Sequence, residues 1–373
     1  MPDQLFTLSD QLGDVLREAA RECHVHGNVS SDAHKALREC GLFAMNVPRQ
    51  YGGWGYDVPA VNAVVEELAT VNPSVAIMLY LHCAVVSRID AYGTAEQKRR
   101  WFGRVVGDNW LAASAWSEVG ASADKRSLGT VARRQGDGSW RVTGGKTFST
   151  SSTVADFFIV LAQLPDETPA CDDAGYGRTN QALYLVPADA PGVRQSPEAL
   201  AMIGMRGSGT GMVQFDDAEV AGTDLLCTGR DTPTAIGLPH RLGLTLGAVS
   251  VGTAQAAHRL VHHHFRSRGL LQDHDARGHL ARLAVSVHAA RAAVRDLAAR
   301  APHLTPEQAY AVKVFTTTAA QEVCAGARAL LGSAGYLQHH EINRVSQDAD
   351  AVMHMGPPNH LCIDLIGGAE AAS

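Results

Sequence analysis

The sequence predicts an α+β fold in which two helical parts flank a small β-domain. Three observations carry this. Apolar residues recur at helical spacing up to about residue 110, strand-like runs separated by turn residues occupy 111–225, and helical spacing returns from 226 onward. The expected domains are therefore 1–110, 111–225 and 226–373.

In the first part, Leu12, Val15, Leu16 and Ala19, then Val61, Val64, Val65 and Leu68, mark single apolar faces of helices. Ser31-Asp32 reads as a helix start. Thr94-Ala95-Glu96-Gln97 has the form of a capping box, in which the threonine hydroxyl and the glutamine amide each satisfy an orphan backbone group. Between these lies Pro48–Gly55, a glycine-rich turn that excludes helix.

In the second part, Trp140–Thr143 and Phe157–Leu161 read as strands, Gly136-Asp137-Gly138 as a hairpin turn, and Val213–Asp216 as an alternating strand. Pro165–Thr179, rich in Asp, Gly and Pro, reads as an exposed loop. In the third part, Arg241–Arg268 reads as one long alanine-rich helix. Leu280, Leu283, Val287, Val294 and Leu297 form a helical stripe. Thr305-Pro306 opens a further helix that runs to Leu331 and stops at Gly332.

Composition narrows the function classes. The net charge of -6, without a basic run, argues against nucleic acid as a partner. The apolar runs around Val249–Gly252 and Ala351–Met355 are far short of the ~20 residues that a membrane span needs, so no membrane partner is expected. Met1-Pro2-Asp3-Gln4 lacks the basic, apolar pattern of a signal peptide. The seven cysteines form no CxxC pair and read as free thiols of a reducing, cytoplasmic compartment. His262-His263-His264 point in different directions on a helix and no HExxH occurs, so no metal site is expected.

Several motifs then line up in order between Tyr51 and Asp348. Tyr51-Gly52-Gly53-Trp54-Gly55 resembles YGGxG, and Gly93–Lys98 resembles G-(S/T)-x-x-Q-K. Ser117–Asp124 resembles TEPxxGSD, Gly144–Ser152 resembles GxKxWITN, and Gly204–Thr210 resembles MGxRGSxT. Gly332–Tyr336 with Arg344 and Asp348 resembles GGxGYxxxxPxxRxxRDA. Any one of these is weak; in register they resemble the acyl-CoA dehydrogenase superfamily. That resemblance implies a central β-barrel or sandwich and a C-terminal four-helix bundle. It also implies FAD, an acyl thioester substrate carried by coenzyme A or an acyl-carrier protein, and a homodimer or homotetramer with the cofactor at the dimer interface.

By the same resemblance, the segment with Trp116 and Ser117 would face the pyrimidine edge of the flavin. Phe148 would pack against the ring and Thr150 would hydrogen-bond near N5. Arg268 would reach a pyrophosphate across a subunit interface, which suits a bidentate guanidinium. Ser122 stands beside Ala123, which occupies the position of the family serine near the pantetheine; Arg241 matches a substrate-side arginine. A glutamine that holds FAD in relatives is Ala329 here.

The main departure concerns the base. The family glutamate that removes the α-proton falls on Gly356 in this chain. Two histidines become candidates for the proton-accepting role. His240 precedes Arg241 where some relatives keep their base, and His354 lies two residues before Gly356. A reading in competition is a flavin monooxygenase or N-hydroxylase of the same fold, since those also lack the glutamate and carry a histidine after R-D. A third is a non-redox scaffold. The altered active site would suit secondary rather than central metabolism.

Overall fold

The computed structural model describes residues 6–120, 127–170 and 177–372. The N-terminal part holds five helices: α1 (Asp10–His26), α2 (Ser31–Glu39), α3 (Val58–Ala69), α4 (Pro73–Tyr92) and α5 (Ala95–Gly107). Each begins at a side-chain cap. Ser9, Ser30, Asp57, Asn72 and Thr94 accept from backbone N–H groups of the first turn. The helix starts at Ser31 as read, and the capping oxygen comes from the preceding Ser30. The capping box at Thr94–Gln97 is complete. The glycine turn holds one 3-10 turn, Arg49–Tyr51, stopped by Gly52 at φ 89°. A Cβ at Gly53 would lie 2.1 Å from the Val47 carbonyl oxygen, so only glycine fits there.

The apolar stretch Pro73–Tyr92 is longer than the runs around Val249 and Ala351. Helix α4 is long and apolar enough to cross a membrane by length and composition, but 78% of its most apolar window is buried within the protein. It is apolar on all sides because helices and strands surround it.

Among the described residues eight strands form one mixed sheet: β1 (Ala112–Ala115), β2 (Val131–Arg134), β3 (Trp140–Ser149), β4 (Phe157–Gln163), β5 (Gln181–Pro187), β6 (Val193–Gln195), β7 (Gly211–Val220) and β8 (Leu225–Thr228). The order is β6-β7-β3-β2-β4-β5-β8, with β1 parallel to β4. The Gly136–Gly138 turn joins β2 to β3 as expected, with Gly138 at φ 89°. Alternation decides which core each side chain enters. Phe157, Ile159 and Leu161 of β4 join the helical core, whereas Phe158, Val160 and Ala162 share a second core with Val142, Phe215 and Val220. Strands β5 and β7 are far apart in the sheet order, yet Tyr184 and Phe215 meet in that second core. The sheet therefore curls over itself, as in a barrel or sandwich.

The C-terminal part holds α6 (Asp231–Arg241), α7 (Gly247–Ser267), α8 (His274–Ala299), α9 (Pro306–Leu330), α10 (Glu341–His354) and α11 (Asn359–Ala372). Helices α7 to α10 pack as a four-helix bundle. The single helix expected over Arg241–Arg268 is a correction: the chain breaks after Arg241 and restarts at Gly247. At the break Gly243 takes φ 75°, and a Cβ there would lie 2.8 Å from Ala298 Cα. The expected stripe on α8 is buried at Leu283, Val287, Val294 and Leu297, with Leu280 partly buried. Thr305 caps α9 through a full capping box with Gln308, and Gly332 at φ 60° follows its end.

Candidate active site

The motif around Ser117 and the motif around Thr147 form one rigid unit. The backbone N–H of Thr147 donates to the Ser117 carbonyl at 2.8 Å. Lys146, fully buried, places its Nζ 2.6 Å from Glu118 Oε1 and 3.3 Å from the Trp116 carbonyl oxygen. Glu118 also accepts from Gly129 N at 2.6 Å and Thr130 N at 3.0 Å. Burial alone would raise the Glu118 pKa, but the Lys146 charge and these hydrogen bonds outweigh it and hold the carboxyl below its usual range. Burial pushes Lys146 down to about 8, against the pull of Glu118. Both residues lie within motifs, but nothing local in the sequence marks their pairing.

Phe148 follows directly. A β-bulge between Lys146 and Ser149 interrupts pairing with β7, and Phe148 sits there at φ 50°. A bulky residue in that region stores about 1–3 kcal/mol of strain. Its ring is 64% exposed, so the strained backbone presents an aromatic side chain outward instead of burying it. Thr150 is buried at the end of a hydroxyl chain. Ser208 Oγ lies 2.8 Å from Thr210 Oγ1, which donates to Thr150 Oγ1 at 3.2 Å. The Thr150 hydroxyl proton stays free to donate elsewhere. Ser151 N donates to the Ser208 carbonyl at 2.9 Å, which joins the third motif to the second.

Trp116 lies beside this unit. The Arg88 guanidinium stands 4.6 Å from its ring centroid. Arg88, on α4, also donates to the carbonyls of Ala235 and Ile236 on α6. The Trp116 indole N–H is buried and has no acceptor. An exposed aromatic ring, a hydroxyl donor and a buried indole N–H without an acceptor are the kinds of group that suit an isoalloxazine ring.

His240 and Arg241 form the last turn of α6. The His240 ring is edge-on to Tyr310 of α9, centroids 5.1 Å apart. Although half-buried by exposure, the ring is enclosed closely enough that burial, then Arg88, then Lys313 push its pKa down to about 3. It is neutral at physiological pH. One turn beyond Tyr310, Lys313 donates to the carbonyls of Met355 and Pro357, which flank Gly356. The structure thus brings His240 and the Gly356 turn to one face of α9. His354 is exposed at the end of α10. Arg268 is exposed at the end of α7, and Ala329 is exposed on α9. Ser122 and Ala123 lie outside the described residues. Among the described residues no cluster could hold a metal ion. A cleft of about 550 Å³ on the β-domain, between Arg134, Trp140, Leu164 and Leu225, contains none of these site residues.

Three family models match in order along the chain. The acyl-CoA dehydrogenase N-terminal, middle and C-terminal domain models match residues 7–108, 113–218 and 241–367. This chain belongs to the acyl-CoA dehydrogenase family. It is therefore an FAD-dependent oxidoreductase by family. A probable acyl-CoA dehydrogenase of Mycobacterium tuberculosis is 27% identical over 339 residues, covering 88% of this chain and 85% of the relative. The fold matches butyryl-CoA dehydrogenase from Megasphaera elsdenii with a TM-score of 0.85 at 22% identity, over 100% of both chains. It also matches FMN-bound TdsC, a dibenzothiophene monooxygenase from Paenibacillus sp. A11-2, with a TM-score of 0.82 at 23% identity, over 96% of this chain and 94% of that one.

Proposed function

We propose that this acyl-CoA dehydrogenase-family protein oxidises the α,β-carbons of an acyl thioester, with His240 in the place of the glutamate that Gly356 replaces. The observation that carries this is the meeting of His240 and the Met355–Pro357 turn across Tyr310 and Lys313. Both chain positions from which a base can be offered in the family converge there. When bound, FAD supplies the hydride acceptor. Phe148 and Trp116 would pack at the ring, Thr150 would donate beside it, and Ser117 would line its polar edge. Arg241, in the same turn as His240, would orient the thioester.

His240 carries no proton at neutral pH, which is the state a base needs. Protonating it beside Arg88 and Lys313 is unfavourable alone; negative charge developing on the thioester carbonyl oxygen would offset that. His240→Ala should slow anaerobic flavin bleaching by an acyl-CoA panel by ~10²–10⁴-fold and leave FAD bound. His354→Ala, at an exposed helix end, should leave the rate unchanged. Equal loss in both variants would defeat the assignment.

The missing carboxylate at Gly356 also favours a second reading, an oxygen-using monooxygenase on the same fold. A yellow protein that no thioester bleaches, but that consumes oxygen once its flavin is reduced, would establish it.

We also propose a homodimer or homotetramer of cytoplasmic location. Phe315 (47% exposed) and Ile363 (57%) leave apolar side chains on the outer helices, and the described cysteines are all free. Arg268→Ala should loosen the oligomer in light scattering and lower FAD occupancy; a variant that stays fully yellow and assembled would remove Arg268 from the interface.

A further inference from the structure

Lys313 is 2% exposed and takes no part in the proposed proton or hydride transfer. Its Nζ lies 3.0 Å from the Met355 carbonyl oxygen and 2.6 Å from that of Pro357. Among the described residues it forms no ion pair with a carboxylate. Burying a cation without a counter-charge is costly, and the two carbonyl hydrogen bonds offset only part of that cost. What they fix is the turn at Gly356. The same turn is held from the other side by Cys362, whose Sγ donates to the Pro357 carbonyl at 3.3 Å. Asn359 opens α11 directly after the turn and donates to Thr317 Oγ1 at 2.7 Å, one helical turn beyond Lys313. One face of α9 therefore carries Tyr310 against His240, Lys313 against the turn, and Thr317 against the start of α11.

We propose that Lys313 is a positioning residue of the active site, clamping the Met355–Pro357 turn to the α9 face that also seats His240. The role rests on the reading of His240 above only for its effect on rate; the clamp itself is independent of substrate. Removing the ammonium frees the turn, and with it the wall of the site opposite His240.

The groups facing Lys313 are His240 on α6 and Cys362 on α11. Tyr310 stands on α9 itself. Burial lowers the Lys313 pKa to about 8, and Cys362 opposes that shift. The ammonium is therefore lost just above physiological pH, earlier than for an ordinary lysine, and the charge-assisted part of the clamp goes with it.

The test uses the full-length holoprotein and two variants, Lys313→Met and Lys313→Ala. Amide exchange over residues 353–360 and labelling of Cys362 by a thiol reagent, with Cys362→Ser as control, report the turn without any substrate. Both should rise at least several-fold in each variant while FAD absorbance stays stoichiometric, and ethylammonium should restore protection to Lys313→Ala. Flavin reduction by butyryl-CoA, if that thioester bleaches the wild type, should lose its alkaline limb near pH 8 in Lys313→Met with the dissociation constant nearly unchanged. Unchanged exchange and labelling in Lys313→Met would overturn the clamp. Raised exchange with no bleaching by any thioester in the wild type would keep the clamp and reject the dehydrogenase reading instead.

Discussion

Lys146→Met should lower the unfolding free energy by about 3–5 kcal/mol and release FAD from the purified protein. The magnitude is that for removing one partner of a buried ion pair. Lys146 is fully buried and Glu118 nearly so, 2.6 Å apart. Methionine matches the volume of the lysine stem, so packing changes little. The loss comes from Glu118, which is left buried with only the N–H groups of Gly129 and Thr130. Cofactor release follows from the same bonds. Lys146 holds the Trp116 carbonyl, and Thr147 holds that of Ser117, so the edge that would face the flavin hangs from this pair. Denaturant unfolding and flavin absorbance after gel filtration measure both effects. Lys146→Met combined with Glu118→Gln should recover part of the stability, because the uncompensated charge is gone. A single variant as stable and as yellow as the wild type would mean that the pair is solvated in solution.

Acid should destabilise the protein by about 3 kcal/mol through His82 alone, between pH ~6.5 and ~4. His82 is fully buried on α4. Its Nε2 lies 2.8 Å from the Phe43 carbonyl, and its Nδ1 accepts from Ala112 N at 3.0 Å. One nitrogen donates and the other accepts, so only the neutral ring satisfies both contacts. Burial lowers its pKa to about 4, and the bond to Phe43 only partly offsets this. In the unfolded chain the ring takes a proton near pH 6.5. Below that pH the unfolded state binds a proton that the folded state refuses, so stability falls as pH drops and the effect is complete once pH passes the folded value. Glu118, whose pKa is held down, contributes in the same direction at lower pH. Thermal unfolding of the wild type and of His82→Gln across pH 4–7 separates the terms. The glutamine variant should show a flatter slope between pH 6.5 and 4; an unchanged slope would clear His82.

Much of the fold was legible because it is written locally. Caps at Thr94 and Thr305, the glycine stops and the alternation along Phe157–Leu161 need only neighbouring residues to be recognised. The cofactor edge was also legible in part. Ser117, Phe148 and Thr150 sit in motifs and Trp116 directly precedes one, and hydrogen bonds from Thr147 to Ser117 and from Lys146 to Trp116 tie the two segments together. Other features were not. Helix periodicity runs unbroken through Arg241–Arg268, and the break exists because Ala298, far along the chain, approaches Gly243 too closely for a side chain. Helix α4 shows no amphipathic stripe because it is covered on all sides. The exposure of His354 and the enclosure of His240 could not be separated by position alone, since both lie in the last turn of a helix.

The sequence by itself determined the order of helical and strand segments, the flavin-family motifs and the absence of a carboxylate at Gly356. These depend on local propensity, periodicity and spacing. Only the tertiary structure decided which charges are buried and what they meet. Lys146 pairs with Glu118 across 28 residues, and Lys313 reaches Met355 across 42. Arg88 lies on the Trp116 ring. A charge acquires its partner and its proton affinity from the groups that folding packs around it, and that environment is assembled from parts of the chain that carry no local sign of one another.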